Sequence, residues 1–304
     1  MPATPQRDAQ EGSAPLGNPA KGIFGRAMGR FFWTTYDHIG RLVAANLCIG
    51  GIVLAPLTVV DLWPPLLVPF LLYAFVAGSI LQTAMAAFAL DMRRFRDPPL
   101  KALWAAVRRF WLVGLKAHLL AAGALGILYV NVRFWSAPPI YAQQLKWPGL
   151  LIAGLCVWAA AFVGLCYLFL LPLLVEKRTG VWAAWKQSAL LALDNIGPAL
   201  GAGIVLGLLE VLGVMTLAGP ILFCSAVLAT MSAALYTTVH YKYQRLERQA
   251  EIEAQSRAKP TSWRQALEQG AALPGLGEET KPQELDEDGE PRRSFREIWR
   301  PWEY

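Results

Sequence analysis

Six apolar stretches, 42–60, 66–90, 111–134, 148–174, 198–217 and 220–240, constrain this chain more than any motif in it. Each is long enough to cross a hydrocarbon core about 30 Å thick at about 1.5 Å of helical rise per residue. Inside such a core the backbone must satisfy its own hydrogen bonds, which a helix does within one segment. The chain is therefore expected to be an all-α membrane protein, a bundle of about six transmembrane helices. Composition agrees: 55% of the residues are hydrophobic and 16% charged, against about 25% charged in soluble domains. The last two stretches are separated only by "AGP" (218–220). They read as a hairpin, with one re-entrant element over 198–240 as the alternative.

Lys and Arg set the expected orientation. Arg26, Arg30 and Arg41 precede the first stretch, and Arg93, Arg94, Arg96, Lys101, Arg108 and Arg109 lie between the second and third. Lys177, Arg178 and Lys186 lie between the fourth and fifth, and Lys242, Arg245 and Arg248 follow the sixth. The opposite connections are almost free of positive charge: 61–65 and 218–220 have none, and 135–147 has only Lys146. Every basic segment falls on one side, which predicts six crossings with both termini cytoplasmic. The net charge of +6 is then topology information rather than a sign of nucleic-acid binding. Trp63, Trp135 and Trp147 mark the expected outer boundary, and Trp33, Trp104, Trp111, Trp182 and Trp185 the inner one, where amphipathic indoles are favoured.

Three segments are too charged to span and too apolar to be free loops: 22–41, 98–111 and 180–193. Each is expected to be a short elbow helix lying in the inner interface. The last two share a frame, "LWAAV" (103–107) and "VWAAW" (181–185), each followed by a crossing stretch. This suggests a weak internal repeat. Residues 1–21 are polar, expected to be disordered, and show no cleavable signal pattern, so the first stretch reads as a retained signal-anchor helix. Residues 22–243 form the expected transmembrane domain. Residues 244–304 form a cytoplasmic tail, largely disordered, with short helices near 262–269 and 294–304, opened by Ser262 with Gln265 and Ser294 with Glu297. In the tail, Phe295, Trp299, Trp302 and Tyr304 alongside Arg293, Arg296 and Arg300 form a candidate docking element, the alternative being a disordered end.

Catalytic signatures do not appear. The chain has no phosphate-binding G-x-x-x-x-G-K-[ST], no G-x-S-x-G and no H-E-x-x-H. Its three histidines, His38, His118 and His240, form no ligand cluster at standard spacing, and its four cysteines all lie in apolar runs without a C-x-x-C. No catalytic residue, metal or cofactor is expected.

Polar residues inside the apolar stretches remain. Glu210 lies about 18 Å beyond Pro198 along a helix, past the midplane. A charge there costs about 2.5–3.5 kcal/mol on insertion scales and should face protein or water. Gly203 and Gly207 form a G-x-x-x-G on the same face, suited to close helix packing. Glu210 reads either as a proton or ion site or as a packing residue paired with Arg133 or Asn131. Gln82, with Gly78 at i−4, reads as interhelical glue, as does Asn46. His118 reads as a hydrogen-bonded structural residue or, alternatively, a proton relay.

Three stretches resemble one family, the YesL-like bacterial integral membrane proteins, a domain of unknown function. "GRLVAANLCIG" (40–50), with Asn46, looks like the family's first helix. "YVNVRFW" (129–135) is similar to the end of its third, with Val130 splitting the Tyr-Asn pair and Arg133 added. "EKRTGVWAAWKQSALLALDNIGP" (176–198) resembles its amphipathic helix leading into an Asn-Pro break, with Ile196 and Gly197 inserted between Asn195 and Pro198. The resemblance covers about residues 31–243. It implies a small helical bundle in the bacterial inner membrane, and an accessory role, because some members occur beside carbohydrate importers. The leading expectation is a non-catalytic accessory or scaffold subunit, its partners the lipid bilayer and membrane transporter subunits or further copies of itself. The alternatives are a small transporter or channel using Glu210 and, more weakly, a lipid-modifying enzyme.

Overall fold

The computed structural model describes residues 22–54, 56, 64–94, 98–136, 146–177, 179–216 and 224–258. Among these residues the chain forms eight α-helices and no strand. They are α1 (Ile23–Asp37), α2 (Ile39–Leu54), α3 (Leu67–Arg93), α4 (Lys101–Ser136), α5 (Lys146–Lys177), α6 (Val181–Asp194), α7 (Ile196–Met215) and α8 (Cys224–Ala258). A 3-10 turn, Pro64–Leu66, leads into α3. The chain divides into two compact units, Met1–His240 and Tyr241–Tyr304. The account below concerns the first. In the second, the Lys242 ammonium sits over the Tyr243 ring at 5.0 Å.

Four helices, α3, α4, α5 and α7, are long and apolar enough to cross a membrane, and α1 with α2 makes a fifth if that pair, bent by 81°, is one span. The chain is an all-helical protein compatible with multiple membrane crossings. α1 is amphipathic. Its buried residues Ile23, Ala27, Arg30 and Thr34 follow the three-to-four-residue spacing of one helical face.

The expected elbows turn out differently. Of 22–41, Ile23–Asp37 form a helix distinct from the next one, with 39–41 already in α2, and Val181–Asp194 form another. The segment 98–111 does not: from Lys101 it is continuous with the third apolar stretch in one 36-residue helix, about 54 Å long at 1.5 Å per residue. The sequence explains the difference. Pro198 lacks the N–H that would bond to the carbonyl of Asp194, so helical bonding lapses there. No proline follows "LWAAV" before Ser136, so α4 runs on. At the lapse, Asn195 serves both helices. Its backbone N–H (3.1 Å) and side-chain Nδ2 (3.0 Å) both donate to the Leu191 carbonyl, ending α6, and its own carbonyl accepts from Ala199 at 2.9 Å, opening α7.

The core lies toward the end carrying the basic residues. Thr83–Leu90 of α3, Leu168–Leu174 of α5 and Ala229–Tyr236 of α8 are buried without interruption. A helix buried on all its faces is surrounded by other helices. α6 closes this end: Ala184 packs with Ala117 of α4 and Leu170 and Leu174 of α5, flanked by Val113, Tyr167, Val181 and Trp185. At the opposite end Leu71, Leu72, Ile127, Val130, Leu151, Leu155, Val211 and Met215 are exposed. Apolar side chains facing lipid tails carry no penalty, because the solvent there is as apolar as they are.

Glycines set two of the helix contacts. A Cβ on Gly114 of α4 would fall on the Thr83 hydroxyl of α3, and one on Gly201 of α7 would come within 2.8 Å of the Phe24 ring of α1. Both helix pairs approach as closely as they do because the side chain is missing.

Candidate functional site

The first four N–H groups of a helix have no partner within it. At the start of α8 other helices supply partners. The Ala226 N–H donates to Asn46 Oδ1 of α2 at 3.0 Å, and Asn46 is fully buried. One residue earlier, Ser225 and Gln82 of α3 bond reciprocally: the Ser225 hydroxyl donates to Gln82 Oε1, and Gln82 Nε2 donates to the Ser225 carbonyl at 3.3 Å. One residue earlier again, the Cys224 side chain lies beside the Glu210 carboxylate of α7.

Three of the polar residues singled out from the sequence, Asn46, Gln82 and Glu210, thus converge from three helices on three successive residues of α8. The start of α8 lies deep: Cys224 is about 24 Å of helical rise from His240, and Glu210 about 21 Å from Ile196. A carboxylate at a helix N-terminus also complements the positive end of the helix dipole. The site therefore holds one carboxyl group, one thiol, two side-chain amides and a hydroxyl, brought together from four helices.

The expected partners of Glu210 were Arg133 or Asn131; the group beside it is Cys224. Asn131 is not drawn to the site; its Nδ2 donates to the Ile127 carbonyl of its own helix at 2.8 Å. His118 is also elsewhere. Its Nδ1 bonds the Gly114 carbonyl at 2.8 Å, which places the ring proton on Nδ1 and leaves Nε2 to accept from the Tyr167 hydroxyl of α5. The two rings meet edge to face, 5.4 Å apart at 82°. This couples α4 to α5 beside the Ala117 cluster.

Of the three glycines nominated for helix packing, Gly203 meets Leu165 of α5, its built Cβ lying 3.1 Å from Leu165 Cδ2. A Cβ on Gly207 or Gly78 would meet nothing within 4 Å. Closer approaches are made by Gly114, Gly149 and Gly201; Gly201 stands four residues after Gly197 in another G-x-x-x-G, whereas Gly114 and Gly149 have no such spacing. The tail residues Phe295, Trp299, Trp302 and Tyr304, the short helices near 262–269 and 294–304, and residues 1–21 lie outside the described residues.

A second polar group, missed from sequence, lies at the basic end. Arg94, just past α3, pairs with Glu176 of α5 at 2.7 Å. Arg30, read from sequence only as a topology marker, is buried and donates from Nη1 to Thr238 Oγ1 of α8 at 3.2 Å. Its place on the buried stripe of α1, at i+7 from Ile23, was the available signal. Ser225, Cys224 and Tyr167 were also missed, since a lone hydroxyl or thiol in an apolar run carries no spacing signature. Among the described residues no group of three His, Cys, Asp or Glu side chains is arranged to hold a metal ion.

Comparison of the chain with protein-family models, with curated proteins and with solved structures found no match.

Proposed function

We propose that this chain is a YesL-like, non-catalytic accessory or scaffold subunit of a bacterial inner membrane, associated with a transporter, crossing six times with both termini cytoplasmic. One observation carries the reading: polar side chains within the apolar helices are engaged in bonds between helices. Asn46 holds Ala226, Gln82 holds Ser225 and His118 holds Tyr167. Groups used in this way fix the packing of a bundle rather than contact a substrate. The one-sided placement of Lys and Arg supports the orientation, and the resemblance supports a carbohydrate importer as the partner class.

Gentle solubilisation in native lipid followed by identification of co-purifying proteins tests the role. Transporter subunits in fixed proportion to this chain are expected; a chain without a partner, in native membranes as well, sinks the reading. Reporter fusions at 61–65, 137–145, 218–220 and the two termini test the topology, and a cytoplasmic 218–220 reporter would remove the hairpin.

A second reading has a specific observation in its favour. Among the described residues Glu210 is the one carboxylate at the junction of α2, α3, α7 and α8, and the group beside it, the Cys224 thiol, is a weak donor. This suits a transporter or channel in which Glu210 exchanges that partner for a proton or ion. Reconstituted vesicles decide it: Glu210→Gln would abolish flux, and unchanged flux would end the idea.

A further inference from the structure

α4 is longer than a bilayer is thick. Its 36 residues rise about 54 Å, or about 50 Å at the average tilt of about 20°. A whole bilayer with its headgroups measures about 40–45 Å. The surplus lies at the Lys101 end. The middle of the helix, 119–128, is wholly apolar. Lys116 and Arg133 flank it about 26 Å apart along the axis, close to the thickness of the hydrocarbon core, and both can reach outward from its edges. α6 marks the same level: it packs on α4 at Ala117 and carries the exposed Trp182 and Lys186. That leaves Lys101–Leu115, about 22 Å of helix, for the headgroup zone and beyond.

Over these turns α4 presents cations and indoles outward. Arg108, Leu112 and Lys116 follow at i+4, and Arg109 stands three residues before Leu112, so the four share one face. Trp104 and Trp111 border it, and all six side chains are exposed. The Arg108 guanidinium lies over the Trp104 ring, 5.8 Å from its centroid, a contact that steadies it. No Asp or Glu occurs from 98 to 175, so α4 has no carboxylate of its own to offset these charges. Helical side chains lean toward the N-terminus. Lys116 therefore leans toward Leu112 from the bilayer side, and Arg108 and Arg109 stand one turn beyond. Leu112 is about 6 Å of rise outward from Lys116, at headgroup height.

We propose that this face binds the headgroup of an anionic phospholipid, its phosphate taken between Lys116 and the Arg108–Arg109 pair, with Trp111 at the interface beside it. The proposal rests on α4 crossing a membrane and on neither functional reading above. A guanidinium matches two phosphate oxygens at once. A zwitterionic lipid offers the same phosphate but offsets it with its own cation, so the face selects net negative charge.

The full chain in neutral detergent, titrated with phosphatidylglycerol or phosphatidylcholine and read by native mass spectrometry, tests this. Phosphatidylglycerol is expected to bind more tightly. Arg108→Gln/Arg109→Gln and Lys116→Gln should each weaken it by about fivefold per charge removed, with phosphatidylcholine unaffected. Lys242→Gln/Arg248→Gln, which removes two charges elsewhere, should keep the preference. Equal binding of the two lipids by the unaltered chain overturns the proposal without recourse to a variant. So does undiminished phosphatidylglycerol binding by the Arg108/Arg109 variant, or an equal loss in the Lys242/Arg248 one. A photoreactive residue in place of Leu112 should capture lipid in native membranes; capture of protein there instead overturns the site.

Discussion

Two of the neighbours of α3 are held by opposite means. Against α4 it is held by absence: Gly114 has no side chain, so Thr83 sits where its Cβ would be, while the Thr83 hydroxyl is satisfied by the Ser79 carbonyl of α3 at 3.0 Å. Against α8 it is held by a reciprocal pair, Gln82 with Ser225. Where lipid replaces water, packing and hydrogen bonds take over the role that the hydrophobic effect plays elsewhere. The first contact depends on shape and tolerates no added atom. The second depends on donor and acceptor and adapts more readily.

That contrast predicts an order of effects. Gly114→Val is expected to be the most damaging, costing about 2–3 kcal/mol through overpacking against Thr83, read as loss of folded protein in detergent melts. Thr83→Ala in the same chain should recover part of it, and no recovery would place the strain elsewhere. Next comes Asn46→Ala, about 1–2 kcal/mol, because it leaves the buried Ala226 N–H without an acceptor; hydrogen exchange should quicken at the start of α8 before the rest of the helix. Gln82→Leu should cost about 0.5–1.5 kcal/mol, the range of hydrogen bonds between membrane helices. A loss as large as that of Gly114→Val would erase the distinction between the two contacts. Smallest is Arg94→Gln, under about 0.5 kcal/mol, since the pair is partly exposed, 47% at Arg94 and 24% at Glu176, and exposed ion pairs contribute little. Its effect should shrink further in high salt.

Two segments with nearly the same sequence frame show where reading from sequence stops. "LWAAV" and "VWAAW" both suggested a short elbow before a crossing helix. Only the second is a separate helix, because Pro198 interrupts the hydrogen bonding four residues beyond Asp194. The relevant signal lay outside the shared frame. The same holds for the glycines. The spacing of Gly203 and Gly207 is a generic invitation to pack, but which glycine touches a neighbour depends on where that neighbour lies, and Gly114, Gly149 and Gly201 make the closest contacts.

The polar residues divide in the same manner. That Asn46, Gln82 and Glu210 need partners was legible, since each is costly in an apolar helix. Their partners were not, because Gln82 and Ser225 are 143 residues apart and Asn46 and Ala226 180 apart. Arg133, the cation proposed for Glu210, was chosen by proximity along the sequence pattern; the group found beside Glu210 is the thiol of Cys224.

The sequence by itself determined the helical class, the long apolar elements and the residues that could not face lipid unpaired. These follow from transfer energies and helical period, which act residue by residue along a chain. Only the tertiary structure decided that three such residues meet at the first turn of α8 and that Arg30 is buried. These depend on which helices are neighbours and at what height. That choice is made by the summed fit of many side chains, which no single stretch of sequence contains.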